Sequence, residues 1–478
     1  MTPWAPLNAR IERLRRCRAD IAASEPALSD LVAEEIGKPR HETLTAEIMP
    51  LLAACRWLER RAPKLLRRRT LRGGGLLGLG QRHTESRAPL GRVVIIATWN
   101  YPIGLLGVQL AHALAAGNTV VVKPSEHAPR TQAALLDLFA RHLPERVLTR
   151  TEATREAGAG VLRNQQRSDA DRFDHVVFTG STGVGRSIAE TLAPSLTPST
   201  LELSGRDSAF VLADAAPRLA ARSIWFAVVS NAGQTCMAPR RALVERGVYA
   251  EFIRELGLLA GAERPRRLIA ADAAEHAWSR VESALRAGGR TITGVTEPPR
   301  GAWLRPAAVT ECPEHAELVE GDHFAPVLAV VPVDDLAHAL AIHRRCDQHL
   351  ATSVFTRRTG WARRELAPRL GAHTVTINDA LIPTAHPATS IGGVGASGWG
   401  ESRGEAGLRA MTRPVSVAST SRWLRPPLDP PTPAQLATMA RWVGRHFGAT
   451  RGTPAEPQTT DASETAPARD QQPAEINA

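Results

Sequence analysis

Lysine is nearly absent from this 478-residue chain. Lys38, Lys64 and Lys123 are the only three among 59 basic side chains. The formal charge of +11 is therefore arginine charge spread along the sequence, in groups no longer than RRR at 67–69. No long basic tract with interleaved aromatics occurs, which argues against nucleic-acid binding as the main function. Cysteine is also sparse: positions 17, 55, 236, 312 and 346 form no CxxC pair and no metal-ligand spacing. Neither a disulfide framework nor a metal site is expected, and the compartment should be a reducing one, the cytoplasm. No uninterrupted apolar run reaches the length of about 18 residues that spans a membrane. The opening MTPWAPLNARIERLRR has no apolar core of signal-peptide length. What remains is a globular composition, 43% hydrophobic, long enough for two or three domains.

Apolar residues at helical spacing (Ile11, Leu14, Ile21, Leu28, Leu31, Val32, Ile36) predict helices across residues 8–70, with Gly37 and Pro39 closing that run. A Gly-rich connection at 72–91 follows, and then the period changes. VVIIA (93–97), TVVVKP (119–124) and HVVFTG (175–180) are short β-branched runs, with a helix predicted over 103–116. Such alternation predicts an α/β fold with a doubly wound parallel sheet. After residue 236 the alternation resumes, with helices at 248–260 and 272–287, strands at 327–333 and 374–378, and a helix from 335. This predicts a second α/β domain. From residue 450 on, large apolar residues almost vanish and disorder is expected.

Ligands in such sheets collect at the carboxyl ends of strands, where Asn100, Lys123 and Gly180 all fall. FTGSTGVGR (178–186) puts glycines at a helix start, where backbone N–H groups favour phosphate; a purely structural strand-to-helix turn accounts for it equally well. Lys123 and Glu126 have the spacing to hydrogen-bond ribose hydroxyls or to form an exposed ion pair. Glu202, at the end of STLEL, is a candidate general base if its mouth is partly apolar. Asn100, in ATWNYP, is a candidate oxyanion donor or an ordinary turn residue. Cys236, in NAGQTCMAP, follows a loop-like stretch that packs poorly in a core.

The series TWNYPIGL, VVVKPSEHAP, FTGSTGVGR, LELSG, NAGQTC, HFAPV and GGVGASGWG, in that order, resembles the aldehyde dehydrogenase superfamily. It is most similar to the branch holding class 3 and fatty aldehyde dehydrogenases. Cys236 lies 34 residues after Glu202, the family's spacing between base and nucleophile. The resemblance covers roughly residues 10–425. It implies two doubly wound parallel-sheet domains, Rossmann-like and catalytic, with a small β oligomerisation extension. The implied boundaries are 1–80 with 97–205 for the dinucleotide-binding domain and 206–399 for the catalytic domain. Oligomerisation strands fall at 81–96 and 400–422, a helical segment at 423–449 and the disordered tail at 450–478. The implied chemistry is oxidation of an aldehyde to a carboxylate with NAD or NADP. Cys236 would be the nucleophile, carrying the thiohemiacetal and thioester, Glu202 the base, and Asn100 the oxyanion donor. Thr98, Trp99, Lys123, Ser125, Glu126, Gly180, Ser181, Gly185, Leu203, Asp322 and Phe324 would line the coenzyme. The implied partners are an aldehyde substrate and further copies of the chain, a homodimer or larger, while the scattered arginines and short apolar runs argue against nucleic acid and an integral membrane segment.

The sequence departs from the family pattern at Ser204, Arg206, Asp322 and Ala325. Ser204 replaces a glycine near the expected nicotinamide position, and Asp322 replaces a longer carboxylate expected on the nicotinamide ribose. These changes leave an alternative, a catalytically impaired homologue serving as a binding or scaffold subunit. The segment 433–448 places Leu436, Met439, Ala440, Trp442, Val443 and Phe447 broadly on one helical face, which predicts docking on a partner or on the chain's own body in preference to a basic helix lying on a membrane.

Overall fold

The computed structural model describes residues 3–72, 78–164, 172–292, 297–424 and 429–448. The expected disordered tail lies outside them. The chain divides into two units, Met1–Leu71 with His83–Val417, and Arg72–Arg82 with Ala418–Ala478.

The larger unit is built on two sheets. Strands β1 (Arg92–Ile96), β2 (Thr119–Lys123), β3 (Leu148–Arg150), β4 (His175–Gly180) and β5 (Ser199–Leu203) pair in parallel in the order β5-β4-β1-β2-β3. Alternate side chains of the buried runs enter two different cores, as the strand period of two requires. Val93, Ile95, Val120 and Val122 pack with Leu14, Ile21, Leu28 and Leu58 of the N-terminal helices. Val94, Ile96 and Val121 pack on the opposite face with Ile188, Leu192 and Leu201. Both faces being covered explains why these strands read as continuous apolar runs.

The second sheet comprises β6 (Ser208–Val211), β7 (Arg241–Glu245), β8 (Arg290–Thr291), β9 (Ala307–Thr310), β10 (Val327–Val333), β11 (Ala351–Phe355) and β12 (Thr374–Ile377), in the order β8-β9-β10-β7-β6-β11-β12. All its pairings are parallel except β8 with β9. Late in the chain, β13 (Gly398–Trp399) returns to the first sheet, antiparallel to β5, with Gly398 opposite Glu202. A separate three-stranded sheet orders Arg69–Leu71, Gln81–Pro89 and Thr412–Thr420.

Register gathers the candidate residues. Ile96 pairs with both Lys123 and Phe178, and Gly180 pairs with Leu203, so Lys123, Gly180 and Glu202 share the carboxyl edge of one sheet. Four residues after Leu203, Asp207 leads into β6 and the second sheet. Glu202 therefore stands where the chain passes from one sheet to the other.

In the smaller unit, the helix Pro433–Phe447 starts at Thr432, whose side chain accepts from the Gln435 N–H while the Gln435 side chain reciprocates. Leu436, Met439, Val443 and Phe447 are exposed on it. Among the described residues no helix is long and apolar enough to cross a membrane, and no group of three or more His, Cys, Asp or Glu could hold a metal ion.

Candidate active site

Three loops converge. The first leaves β1 and carries Asn100 into the helix Gly104–Ala116. Asn100 is buried. Its side-chain oxygen accepts from Thr98 Oγ1 (2.9 Å), and its Nδ2 donates to the Gln234 carbonyl (3.0 Å). The second is the end of β5, where Glu202 is 2% exposed. The third follows the helix Pro217–Val229 through a kinked turn in which Asn231, Ala232 and Gly233 take φ values of 52°, 53° and 73°. Left-handed backbone at Ala232 is costly for a residue with a Cβ. Surrounding bonds hold it: Asn231 N donates to Glu42 Oε2 (2.6 Å), and Asn231 Nδ2 donates to the Asn100 and Gln234 carbonyls (2.8 and 3.0 Å). The buried Arg240 guanidinium donates to the carbonyls of Gly233 (3.2 Å) and Thr235 (2.9 Å).

This turn delivers Cys236, partly exposed, with Sγ 3.9 Å from Glu202 Oε1. The other Glu202 oxygen accepts from Ser402 Oγ at 3.3 Å. Burial, joined by the negative charges of Glu202 and Asp207, pushes the thiol well above its ordinary range, against the pull of Arg240. Burial also raises the Glu202 carboxyl, while Ser402, Arg403 and Cys236 act in the opposite sense. A thiol and a carboxyl group, both desolvated, therefore face each other at a separation suited to passing a proton from sulfur to oxygen as sulfur attacks carbon.

Two glycines interlock the sequence motifs. A Cβ on Gly233 would lie 2.1 Å from the Ala325 carbonyl carbon, and one on Gly205 would lie 2.9 Å from the Cys236 carbonyl oxygen. NAGQTC thus closes directly on both HFAPV and LELSG.

At the end of β2, Lys123 is buried and its Nζ meets Glu126 Oε2 at 2.8 Å. Arg155 meets the other oxygen at 3.0 Å. Burial alone would raise Glu126, but the two cations outweigh it and hold the carboxyl down at about 2. Ser125 is buried, its N–H donating to Gln132 Oε1 (2.7 Å). Gly180 and Ser181 enter the helix Thr182–Leu192, which Ser181 caps by accepting from Val184 N (3.4 Å). Gly185 lies against Leu203, whose side chain a Cβ would meet at 2.5 Å, whereas a Cβ on Gly183 would meet nothing within 4 Å. Beside this helix start lies a cleft of about 220 Å³ lined by Thr182, Gly185, Leu203, Ala396 and Gly398 among others. Trp99 packs edge-on to Phe324 (5.9 Å) and to His127 (6.1 Å). The carboxylate of Asp322 is turned inward, 3.3 Å from Arg240 Nε and accepting the Phe324 N–H (3.2 Å). The shorter side chain is thus spent on its own loop and on Arg240. At the other departures from the family pattern, the Ser204 carbonyl accepts from Ser397 Oγ (2.9 Å) and Arg206 pairs with Asp347 (2.5 Å).

The family model described as "Aldehyde dehydrogenase family" matches residues 3–417. The chain belongs to the aldehyde dehydrogenase family. Its relatives include a probable coniferyl aldehyde dehydrogenase of Pseudomonas aeruginosa, 30% identical over 88% of each chain. Aldehyde dehydrogenase family 3 member A2 of Mus musculus is 27% identical over 84% of this chain and 82% of its own. Among solved structures, a Mycobacterium tuberculosis aldehyde dehydrogenase complexed with NAD+ is 28% identical. It superposes with a TM-score of 0.79 over 87% of this chain and 86% of its own. The protein is an aldehyde dehydrogenase that uses NAD or NADP.

The donor set fits such a coenzyme. This aldehyde dehydrogenase has a buried ammonium beside a carboxylate, a helix N-terminus with an unobstructed glycine, and an adjoining cleft, all along the carboxyl edge of one sheet. Sequence reasoning missed Arg240, Ser402, Asn231 and Glu42, which hold the nucleophile loop and the base. Arg240 directly follows NAGQTCMAP, but in so arginine-rich a chain one more arginine carries little signal.

Proposed function

We propose that Cys236 is the nucleophile of aldehyde oxidation, Glu202 its base and Asn100 the oxyanion donor. The observation that carries this reading is the 3.9 Å approach of Cys236 Sγ to a Glu202 carboxylate buried at 2% exposure. Sulfur attacks the aldehyde carbon while Glu202 takes its proton. The Asn100 amide and the Cys236 backbone N–H stabilise the charge that develops on the carbonyl oxygen. When bound, the nicotinamide ring supplies the acceptor for the hydride that leaves the thiohemiacetal. Glu202 then activates the water that releases the carboxylate from the Cys236 thioester. Lys123 and Glu126 are proposed at the adenosine ribose, with Thr98, Trp99, Ser125, Gly180, Ser181, Gly185, Leu203 and Phe324 along the remainder of the coenzyme. Asp322, held by Arg240, is proposed to act on the nicotinamide ribose only through an intervening water.

The name of the coniferyl aldehyde dehydrogenase relative makes extended aryl aldehydes the first substrates to try, with a simple alkyl aldehyde for comparison. Coniferaldehyde, cinnamaldehyde, benzaldehyde and hexanal, each with NAD and with NADP, form the panel, followed by reduced-coenzyme absorbance. Cys236→Ser is expected to lose turnover by at least about 1,000-fold while binding NAD as the parent does. Comparable turnover by Cys236→Ser would overturn the assignment, and a parent that neither binds coenzyme nor turns over would favour the scaffold reading.

A homodimer or larger assembly in the cytoplasm completes the proposal. Residues 413–417 run along an edge strand with all but one exposed, an arrangement that invites pairing with another chain. Leu219, Phe226 and Ile382 are exposed around a hollow of about 600 Å³ framed by Arg218, Arg222 and Asp379, a second apolar surface suited to burial. Light scattering at micromolar concentration tests the assembly.

A further inference from the structure

Asn100 and Cys236 do not exhaust the buried polar groups around these loops. Lys38 follows the helix Glu25–Ile36, and Glu47 lies in the π-turn Leu44–Ile48 before the helix Met49–Leu65. Their side chains are 1% and 0% exposed and meet at 2.5 Å, Nζ to Oε1. Desolvating two charges commonly costs as much as their attraction returns, so stability alone is a weak reason for such a pair.

Both members reach the turn that carries Asn100. Lys38 Nζ donates to the Asn100 carbonyl (2.7 Å) and stands 3.9 Å from the centre of the Tyr101 ring. Glu47 Oε2 accepts the N–H groups of Ile103 (2.8 Å) and Gly104 (3.1 Å), which open the helix Gly104–Ala116. From the other side, the same Asn100 carbonyl accepts from Asn231 Nδ2 (2.8 Å), and the Tyr101 hydroxyl hydrogen-bonds with Thr235 Oγ1 (2.7 Å), one residue before Cys236. One ion pair thus fixes both ends of residues 100–104 against the nucleophile loop. A compact ammonium can serve a carboxylate, a carbonyl and a ring at once, where a planar guanidinium is wider and differently aimed. That accounts for one of the chain's three lysines standing here in an arginine background.

We propose that Lys38 and Glu47 are positioning residues for the oxyanion site, setting the Asn100–Gly104 turn so that the Asn100 amide faces the oxygen of the carbonyl attacked by Cys236. The device presupposes the roles proposed for Asn100 and Cys236.

Acylation by p-nitrophenyl acetate reads that geometry without coenzyme or knowledge of the natural aldehyde. Glu202 takes the thiol proton as sulfur bonds to the acetyl carbon, the carbonyl oxygen carries the charge, and the ester C–O bond breaks to release p-nitrophenolate and leave a Cys236 thioester. Alkylation by iodoacetamide consumes the same thiol and forms no oxyanion. Lys38→Met with Glu47→Gln removes both charges at nearly constant volume. The paired variant is expected to slow acylation by about tenfold or more and to leave alkylation and NAD affinity within about twofold of the parent. In an Asn100→Ala background the same pair of changes should slow acylation by no more than about twofold. Lys38→Arg, which keeps the charge but not the ammonium shape, should show the same selective loss and serves if the paired variant does not fold. An equal loss in both backgrounds, or equal slowing of acylation and alkylation, overturns the proposal, as does parental acylation by a folded Lys38→Arg protein. If Asn100→Ala itself acylates at the parental rate, the role of Asn100 falls, and with it the reason for the device.

Discussion

Cys236 shows what a single residue inherits from its neighbours. Burial and the charges of Glu202 and Asp207 raise its pKa, so at neutral pH less of it is thiolate than for a free thiol. Its alkylation by iodoacetamide should therefore keep rising with pH beyond about pH 10, past the range where an unperturbed thiol levels off. Glu202→Gln removes one of the charges that raise the thiol and should move the profile to lower pH. A plateau reached by about pH 9.5 in the parent, as for an unperturbed thiol, would contradict this account. At this scale the sequence was informative where a residue type is chemically rare. Cys236, Glu202 and Asn100 were legible from their motifs, and the structure brings them together. Lys38, Glu42, Arg240 and Ser402 were not, because each lies far along the chain from the atom it serves or belongs to a type too common here to stand out. For Asp322 the sequence shows a shortened carboxylate but not its turn toward Arg240 and the Phe324 N–H.

Single elements divide in the same way. VVIIA, TVVVK and HVVFT are strands because β-branched residues covered on both faces leave little else for them to be. The expected helix at 272–287 is observed as Ala271–Arg286. Ser208–Val211 and Ala351–Phe355 escaped notice, being short apolar runs without alternation. The π-turn at Leu44–Ile48 that seats Glu47 has no sequence signature. The helix Thr182–Leu192 supports a prediction with two opposing readouts. Gly183→Ala adds a methyl group where nothing lies within 4 Å, so melting should rise by the equivalent of about 0.5–1 kcal/mol of helix propensity. The same methyl stands on the first turn, where a pyrophosphate would approach, so NAD affinity should fall by about tenfold. Calorimetry of both quantities checks it, and unchanged affinity in the stabilised variant would remove this helix from the coenzyme site. Gly185→Ala, against Leu203, should instead lower stability.

For the whole molecule, strand order was the part no periodicity could supply. Return of β13 to the first sheet after the entire second sheet is a fact of pairing between residues some 200 positions apart. The buried histidines yield a prediction at this scale. Burial lowers His112, His175 and His343 to about 4 and His323 to about 3. Each has a folded pKa below its unfolded value of about 6.5, so the unfolded chain binds more protons between about pH 6.5 and 4. Their contribution is complete above that window and is lost as pH falls through it. Asp207, pushed up to about 7 by burial, works in the opposite sense and loses its contribution as pH rises. The urea midpoint should drop between about pH 6.5 and 4.5, and His175→Gln should flatten that slope. An identical slope in parent and variant would contradict it. A different consequence follows from where the lysines sit. Aldehydes condense with free primary amines to give imines, and a protein that meets them continually is exposed to such adducts. Here Lys38 and Lys123 are 2% and 5% exposed, leaving Lys64 as the one lysine open to solvent. Arginine supplies nearly all the surface cations, so the protein offers its own reagent almost nothing to tan.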